Sequence, residues 1–250
     1  MSSLEDEFSG ALAEAKRKFE GNDHDKNYQR FLTICQLLRE APTLNAGLTS
    51  KRRPKHLAEP QSAAYFSVLA EKYLRGRNAV PSFQVGRTLP DAAVSLVIEE
   101  ALKVSADNVA KIVKLHAYCM CAENAIGKLL ERFVAEKLES FESMPWVWCP
   151  GEIVKSFDFV CPPVNSETGW QVLQVKNRDN TESSAHGQTR QHSSENCGVE
   201  VLPKKWVRSM SKTGQTKWED FPDTEARAEL TEEKFLAYVR DWAKQVSQPK

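Results

Sequence analysis

The chain is short of several things. Its 34 acidic and 34 basic residues leave no net charge, which removes the simplest argument for a nucleic-acid ligand, a large overall positive charge. No apolar run approaches the roughly 20 residues of a bilayer span. The segment MSSLEDEFSGALAEAKRKFEG is polar and acidic, unlike a secretory leader. Six cysteines, at 35, 119, 121, 149, 161 and 197, show no framework spacing, so free thiols and a cytoplasmic location are expected. His116, Cys119 and Cys121 lie close in sequence, but 119 and 121 fall on different helix faces and no second pair follows, a poor pattern for zinc. No internal repeat is visible.

What is present is ordinary for a globular protein: 250 residues, 41% hydrophobic and 27% charged, enough for a helical lobe joined to a compact catalytic unit. Charge is informative only locally. Lys51, Arg52, Arg53, Lys55, Lys72, Arg75, Arg77 and Arg87 face only Glu59 and Glu71 in their stretch, and Lys204, Lys205, Arg208, Lys212 and Lys217 form a run without acids. Either run suits phosphates, and either suits a solvated face.

The first half has helical periodicity. Helices are expected over Phe8 to Phe19, Tyr28 to Arg39 and Ser62 to Arg75, then from a cap at Asp91 to about Lys103. Ser105 opens an apolar-periodic stretch reaching about Ser140, longer than a typical globular helix and expected to break near Cys119 to Ala122. After Pro145 the composition turns to β-branched and aromatic residues. Strands are expected over Ile153 to Cys161 and Gly169 to Lys176, joined as a hairpin through PPVNSETG. A short strand follows near Val199 to Leu202, and Thr231 caps a last helix carrying Glu232, Glu233, Phe235, Leu236, Val239, Trp242 and Val246. The expected class is α/β of the α+β mixed kind: a mixed β-sheet flanked by helices, with an N-terminal helical lobe over 1–104 and a catalytic core over 105–250.

Within the hairpin, Gln174 and Lys176 share one face because residues two apart on a strand point the same way, and pairing brings Asp158 toward Gln174. A carboxylate and a second oxygen ligand suit Mg²⁺, and a lysine ammonium suits an attacking water or the charge that develops on a phosphate. On ENAIGKLLERFVAEKL the apolar stripe is Ile126, Leu129, Leu130, Phe133 and Val134. Glu131 lies at its edge, with Gly127 one turn earlier. Glu123 falls inside the stripe, as a partnered core acid or a group behind the metal ligands.

Gly127, Glu131 and Arg132 on a helix, Asp158 on a strand, and Gln174-Val175-Lys176 on the next strand resemble the PD-(D/E)xK nuclease superfamily. AENAIGKLLE, VKSFDFV, VLQVKNRDNTESSA and KKWVRSMSKTGQTKW resemble, more narrowly, the SinI-type family of type II restriction endonucleases; the detailed match covers about Ala122 to Trp218. The resemblance implies a restriction-endonuclease-like fold and Mg²⁺-dependent cleavage of double-stranded DNA at a short specific site, GG(A/T)CC or a related target. It also implies Asp158, Gln174 and Glu131 as metal ligands and Lys176 as the catalytic lysine. Phe157 stands where the superfamily's proline is expected, and Gln174 replaces an acid, which lowers the negative charge of the site. Beyond Lys176, the residues Asn177, Arg178, Asn180, Ser183, Ser184 and Arg190 are of the types that contact base edges and phosphates. Lys204, Lys205 and Arg208 are expected at phosphates, with Trp206 packed or stacked. Because restriction sites are usually two-fold symmetric, a homodimer is expected, together with a cognate DNA methyltransferase as genetic partner. Alternatives are a junction resolvase or repair nuclease of the same superfamily, or an inactive DNA-binding relative.

Overall fold

A computed structural model describes residues 4–20, 24–45, 62–83, 85, 91–141, 146–151, 153–163, 169–179 and 199–246. Its helices are α1 (Leu4–Arg17), α2 (His24–Glu40), α3 (Ala63–Asn78), α4 (Ala92–Leu102), α5 (Ala106–Leu138), α6 (Thr224–Arg227) and α7 (Glu232–Val246). Its strands are β1 (Val147–Trp148), β2 (Phe159–Cys161), β3 (Trp170–Arg178) and β4 (Val201–Ser209), in the order β1-β2-β3-β4. The first three are antiparallel and β4 runs parallel to β3. This is the expected mixed sheet flanked by helices.

The caps read from sequence at Asp91 and Thr231 are present, and Ser62, expected only as a helix start, is a third. Ser62 Oγ accepts from the Tyr65 N–H at 3.2 Å, Asp91 Oδ1 from Ala93 at 2.8 Å and Thr231 Oγ1 from Lys234 at 3.3 Å, each satisfying a donor the helix leaves open.

Strand alternation sorts the core into two layers. Val147, Val160, Trp170 and Val172 face α1, α2 and α3, where they join Phe19, Phe31 and Tyr73. Trp148, Phe159, Leu173 and Val175 face Leu129, Leu130 and Phe133 of α5 and Phe235 of α7. Trp170 also donates to Glu40 of α2 at 2.7 Å. Gly76 of α3 lies against the turn at Pro150 and Gly151, and a Cβ there would come within 2.8 Å of the Gly151 nitrogen.

Three elements depart from expectation. The long helix does not break near Cys119 to Ala122: α5 runs 33 residues without interruption, because no glycine or proline lies between Ala106 and Ile126. β2 begins at Phe159 rather than Ile153, since Val154 bridges Asn45 and the Lys155 N–H bonds the Leu44 carbonyl at 2.7 Å. A turn then intervenes, with Ser156 at φ 68°. β4 is longer than expected, nine residues including Pro203; among the described strands it pairs with β3 at one edge of the sheet, apart from a bridge between Ser209 and Thr216, and an edge strand tolerates a residue with no N–H to give.

Candidate active site

The turn before β2 decides where Asp158 points. In a regular strand one residue's N–H and C=O aim at the same neighbour. At Asp158 they diverge: its N–H bonds the Leu173 carbonyl at 2.9 Å, and its carbonyl accepts from the Cys149 N–H at 2.8 Å. Phe157 and Val160 accordingly bury in the same layer, although three residues apart, which regular alternation forbids. The chain bends there, and the carboxylate takes the place the backbone vacates, with Oδ2 accepting from the Val175 N–H at 2.8 Å.

Val175 lies between Gln174 and Lys176, so this one bond fixes the Asp158 carboxylate beside both. The pairs Phe159–Leu173 and Val160–Val172, carried one residue further, set Asp158 opposite Gln174. Asp158, Gln174 and Lys176 are all half-buried. Burial pushes the Asp158 carboxyl up to about 7, against the opposing pull of the Val175 N–H and the Lys176 ammonium.

Glu131 comes from α5, which covers the Leu173 and Val175 face of β3, whereas Gln174 and Lys176 alternate to the other face. Two contacts fix the direction of the helix. Glu123 pairs with Arg178 at the end of β3 at 3.7 Å, and Arg132 lies over the Trp148 ring at 5.9 Å, at the level where Trp148 meets Phe159 and Phe159 meets Leu173. α5 thus runs antiparallel to β3. Between those two levels, half-buried Glu131 lies nearer the level of Leu173 and Gln174. Glu123, expected inside the apolar stripe, is exposed with a solvated ion pair; α5 has already passed the end of the sheet there.

The remaining expected contacts divide. Asn180, Ser183, Ser184 and Arg190 lie outside the described residues. Arg178 reaches the Ser211 carbonyl at 3.3 Å. Lys204 and Lys205 stand exposed on the edge strand, Lys204 donating to Gln171 at 2.8 Å and Lys205 level with Gln174. Arg208 directs its guanidinium inward, giving Nη1 to both Glu232 oxygens at 2.7 Å and Nε to Asn177 Oδ1 at 2.9 Å. Trp218 donates to the same Glu232 at 2.7 Å. Trp206 is packed, its ring buried and its N–H given to the Lys217 carbonyl at 2.9 Å. Glu232 is the residue the sequence undersold. Its first-turn position on α7 explained it adequately, and nothing local showed that Arg208 and Trp218 converge on it.

Asp158 Oδ1 and the Gln174 amide oxygen are oxygens of the kind a hard cation takes. Among the described residues no three Asp, Glu, His or Cys side chains form a metal cage. A donor set this sparse fits Mg²⁺, which keeps several waters and takes one or two carboxylates. A mixed sheet with a bent-in strand acid, an adjacent lysine and a flanking helix acid defines the class: a restriction-endonuclease-like protein. The particular family follows from comparison, for a family model described as SinI restriction endonuclease matches residues 11–245. The type II restriction enzyme SinI of Salmonella infantis is 33% identical over 233 residues, covering 93% of this chain and 94% of that protein. The type II restriction enzyme Eco47I of Escherichia coli is 32% identical over 229 residues, covering 91% and 92%. The chain belongs to the SinI restriction endonuclease family.

Proposed function

We propose that this chain is a Mg²⁺-dependent type II restriction endonuclease that hydrolyses both strands of a short DNA site, GG(A/T)CC or a related target. The observation that carries this reading is the hydrogen bond from the Val175 N–H to Asp158 Oδ2 at 2.8 Å, which holds a carboxylate beside Gln174 and Lys176. Asp158 and Gln174 would hold the metal, and Glu131, which α5 carries on the opposite face of β3, is the remaining acid the family pattern offers. Bound there, Mg²⁺ would supply positive charge against the phosphate and acidify a coordinated water. Lys176 orients the attacking water and meets the charge that develops on the phosphoryl oxygens. A bond forms from the water oxygen to phosphorus as the bond to the leaving oxygen breaks, and that oxygen takes up a proton. Arg178, Lys204 and Lys205 contact the duplex backbone, with Asn177, Asn180, Ser183, Ser184 and Arg190 nearer the bases and Arg208 acting through Asn177. Two copies of the chain, one per strand, match a two-fold site; a cognate DNA methyltransferase would protect the host.

A second reading, a protein that binds DNA without cutting it, is favoured by the neutral amide at 174. Plasmid DNA incubated with the purified protein and Mg²⁺ separates the two: discrete fragments with mapped ends support cleavage, and shifted but intact plasmid supports binding alone. Lys176→Ala is expected to lower cleavage at least a thousandfold while leaving DNA affinity within about threefold, measured by gel shift in Ca²⁺; undiminished cutting would remove Lys176 from the chemistry.

A further inference from the structure

We propose that α4 and the first half of α5 form the surface on which a second copy of this chain docks, the two hairpins joining as a helical bundle. α4 has the sequence AAVSLVIEEAL, apolar on nearly every side. Such a helix belongs in an interior, yet not one of its residues is buried. It packs on α5, and its half-buried residues are Ser95, Ile98 and Glu99. Val94, Leu96 and Val97 point elsewhere, Val97 being 66% exposed. On α5, Leu115 is 65% exposed and Tyr118 40%. Among residues 106–124 only Val109 is buried.

Charge and size select the occupant. Residues 91–122 carry Asp91, Glu99, Glu100 and Asp107 against Lys103, Lys111 and Lys114, four acids to three bases, a net charge of −1. That balance offers a phosphate backbone no net attraction. A second copy of the hairpin offers both signs in return and a matching apolar surface, as an isologous contact requires. The 17 residues from Ala106 to Ala122 extend about 25 Å, and two helices side by side are about 20 Å wide. One such face in each copy gives roughly 1,000 Å² in total, the threshold of a specific interface. Placement agrees: the Glu123–Arg178 pair sets the hairpin beyond the end of β3 where Lys176 lies, so a two-fold axis through the hairpins turns two sites toward one duplex. That last point rests on the proposed cleavage; the docking itself does not.

The test is the mass of the full-length protein in solution by light scattering and sedimentation, with and without a target duplex. Wild type is expected at twice the 28.2 kDa chain mass, and Val97→Glu and Leu115→Glu at 28.2 kDa, with dimer association weakened at least a hundredfold and helicity and melting unchanged. Leu236→Glu, on the exposed face of α7, and Lys176→Ala should both remain dimeric. A wild-type monomer under all conditions overturns the proposal, as does a dimer indifferent to both glutamates. Variants that lose DNA affinity or folding stability without any change of mass also overturn it, pointing to DNA or to another segment of this chain as the occupant. A wild-type dimer, split by the glutamates, that cuts no DNA would leave the docking surface standing and sink the cleavage reading alone.

Discussion

The carboxylate proposed to hold the metal is kept where protons compete for it. Burial pushes Asp158 up to about 7, whereas in the unfolded chain it titrates near the usual value of about 4. Between those values the folded state binds more protons than the unfolded one, so this group makes stability fall as pH rises from about 4 to about 7, with the full penalty above. Asp158→Asn removes the penalty. Without metal, the variant is expected to melt higher than wild type at pH 8 and to lose most of that advantage at pH 5, read by scanning fluorimetry. Added Mg²⁺ should raise the melting point of wild type increasingly as pH passes 7, because metal and proton compete for the carboxylate; an equal Mg²⁺ shift in the Asn variant would place the ion elsewhere. Gln174→Glu adds a second anion beside Asp158, and Mg²⁺ affinity by calorimetry is expected to rise about tenfold or more with cutting retained. An unchanged affinity would take residue 174 out of the ligand set. Much of this site was legible beforehand, since alternation alone put Gln174 and Lys176 on one face. The aim of Asp158 was not. It depends on a bend made by Ser156 and by contacts between residues 44–45 and 154–155, which link positions over a hundred apart.

Elements were legible where their own residues decide them and obscure where a distant partner does. Ser62, Asp91 and Thr231 cap their helices through bonds spanning two or three residues, so the starts of α3, α4 and α7 could be read directly. The exposure of Glu123 depends on where the sheet ends beneath α5, which no periodicity reports. The same holds at the end of α5. Glu139 there accepts from Arg77 Nη1 and Nη2 at 2.7 Å each and lies 3.3 Å from Arg30. Its side chain is only 8% exposed, and those of Arg77 and Arg30 are 18% and 20%. Three helices are tied through one carboxylate, while Arg132 of α5 donates to the Arg77 carbonyl at 2.6 Å. Removing one partner of such a group leaves the others buried and uncompensated. Glu139→Gln is therefore expected to cost about 3–5 kcal/mol and to lower the melting temperature by roughly 10 °C. A loss below about 1 kcal/mol would mean that water already screens the cluster.

At the scale of the whole molecule the sheet is shared. One face is covered by α5 and α7, the other by α1, α2 and α3, and the central strand β3 supplies both, with Trp170 and Val172 on one side and Leu173 and Val175 on the other. The helices before α4 thus complete the layer that holds β3 straight, and β3 carries Gln174 and Lys176. A fragment of residues 105–250 would expose Val147, Val160, Trp170 and Val172, all at most 5% exposed in the full chain, and would leave Glu40 and Arg77 absent from Trp170 and Glu139. Losing one face of a two-sided sheet removes more apolar burial than the few kcal/mol by which a domain is stable. The fragment is expected to lack a cooperative melt and to bind a hydrophobic dye. The intact chain is expected to unfold in one transition, with tryptophan fluorescence and far-ultraviolet circular dichroism superimposing across the denaturant range. Two separated transitions, or a fragment that melts cooperatively near the temperature of the full chain, would show instead that the helical lobe is dispensable to the sheet and to the site it carries.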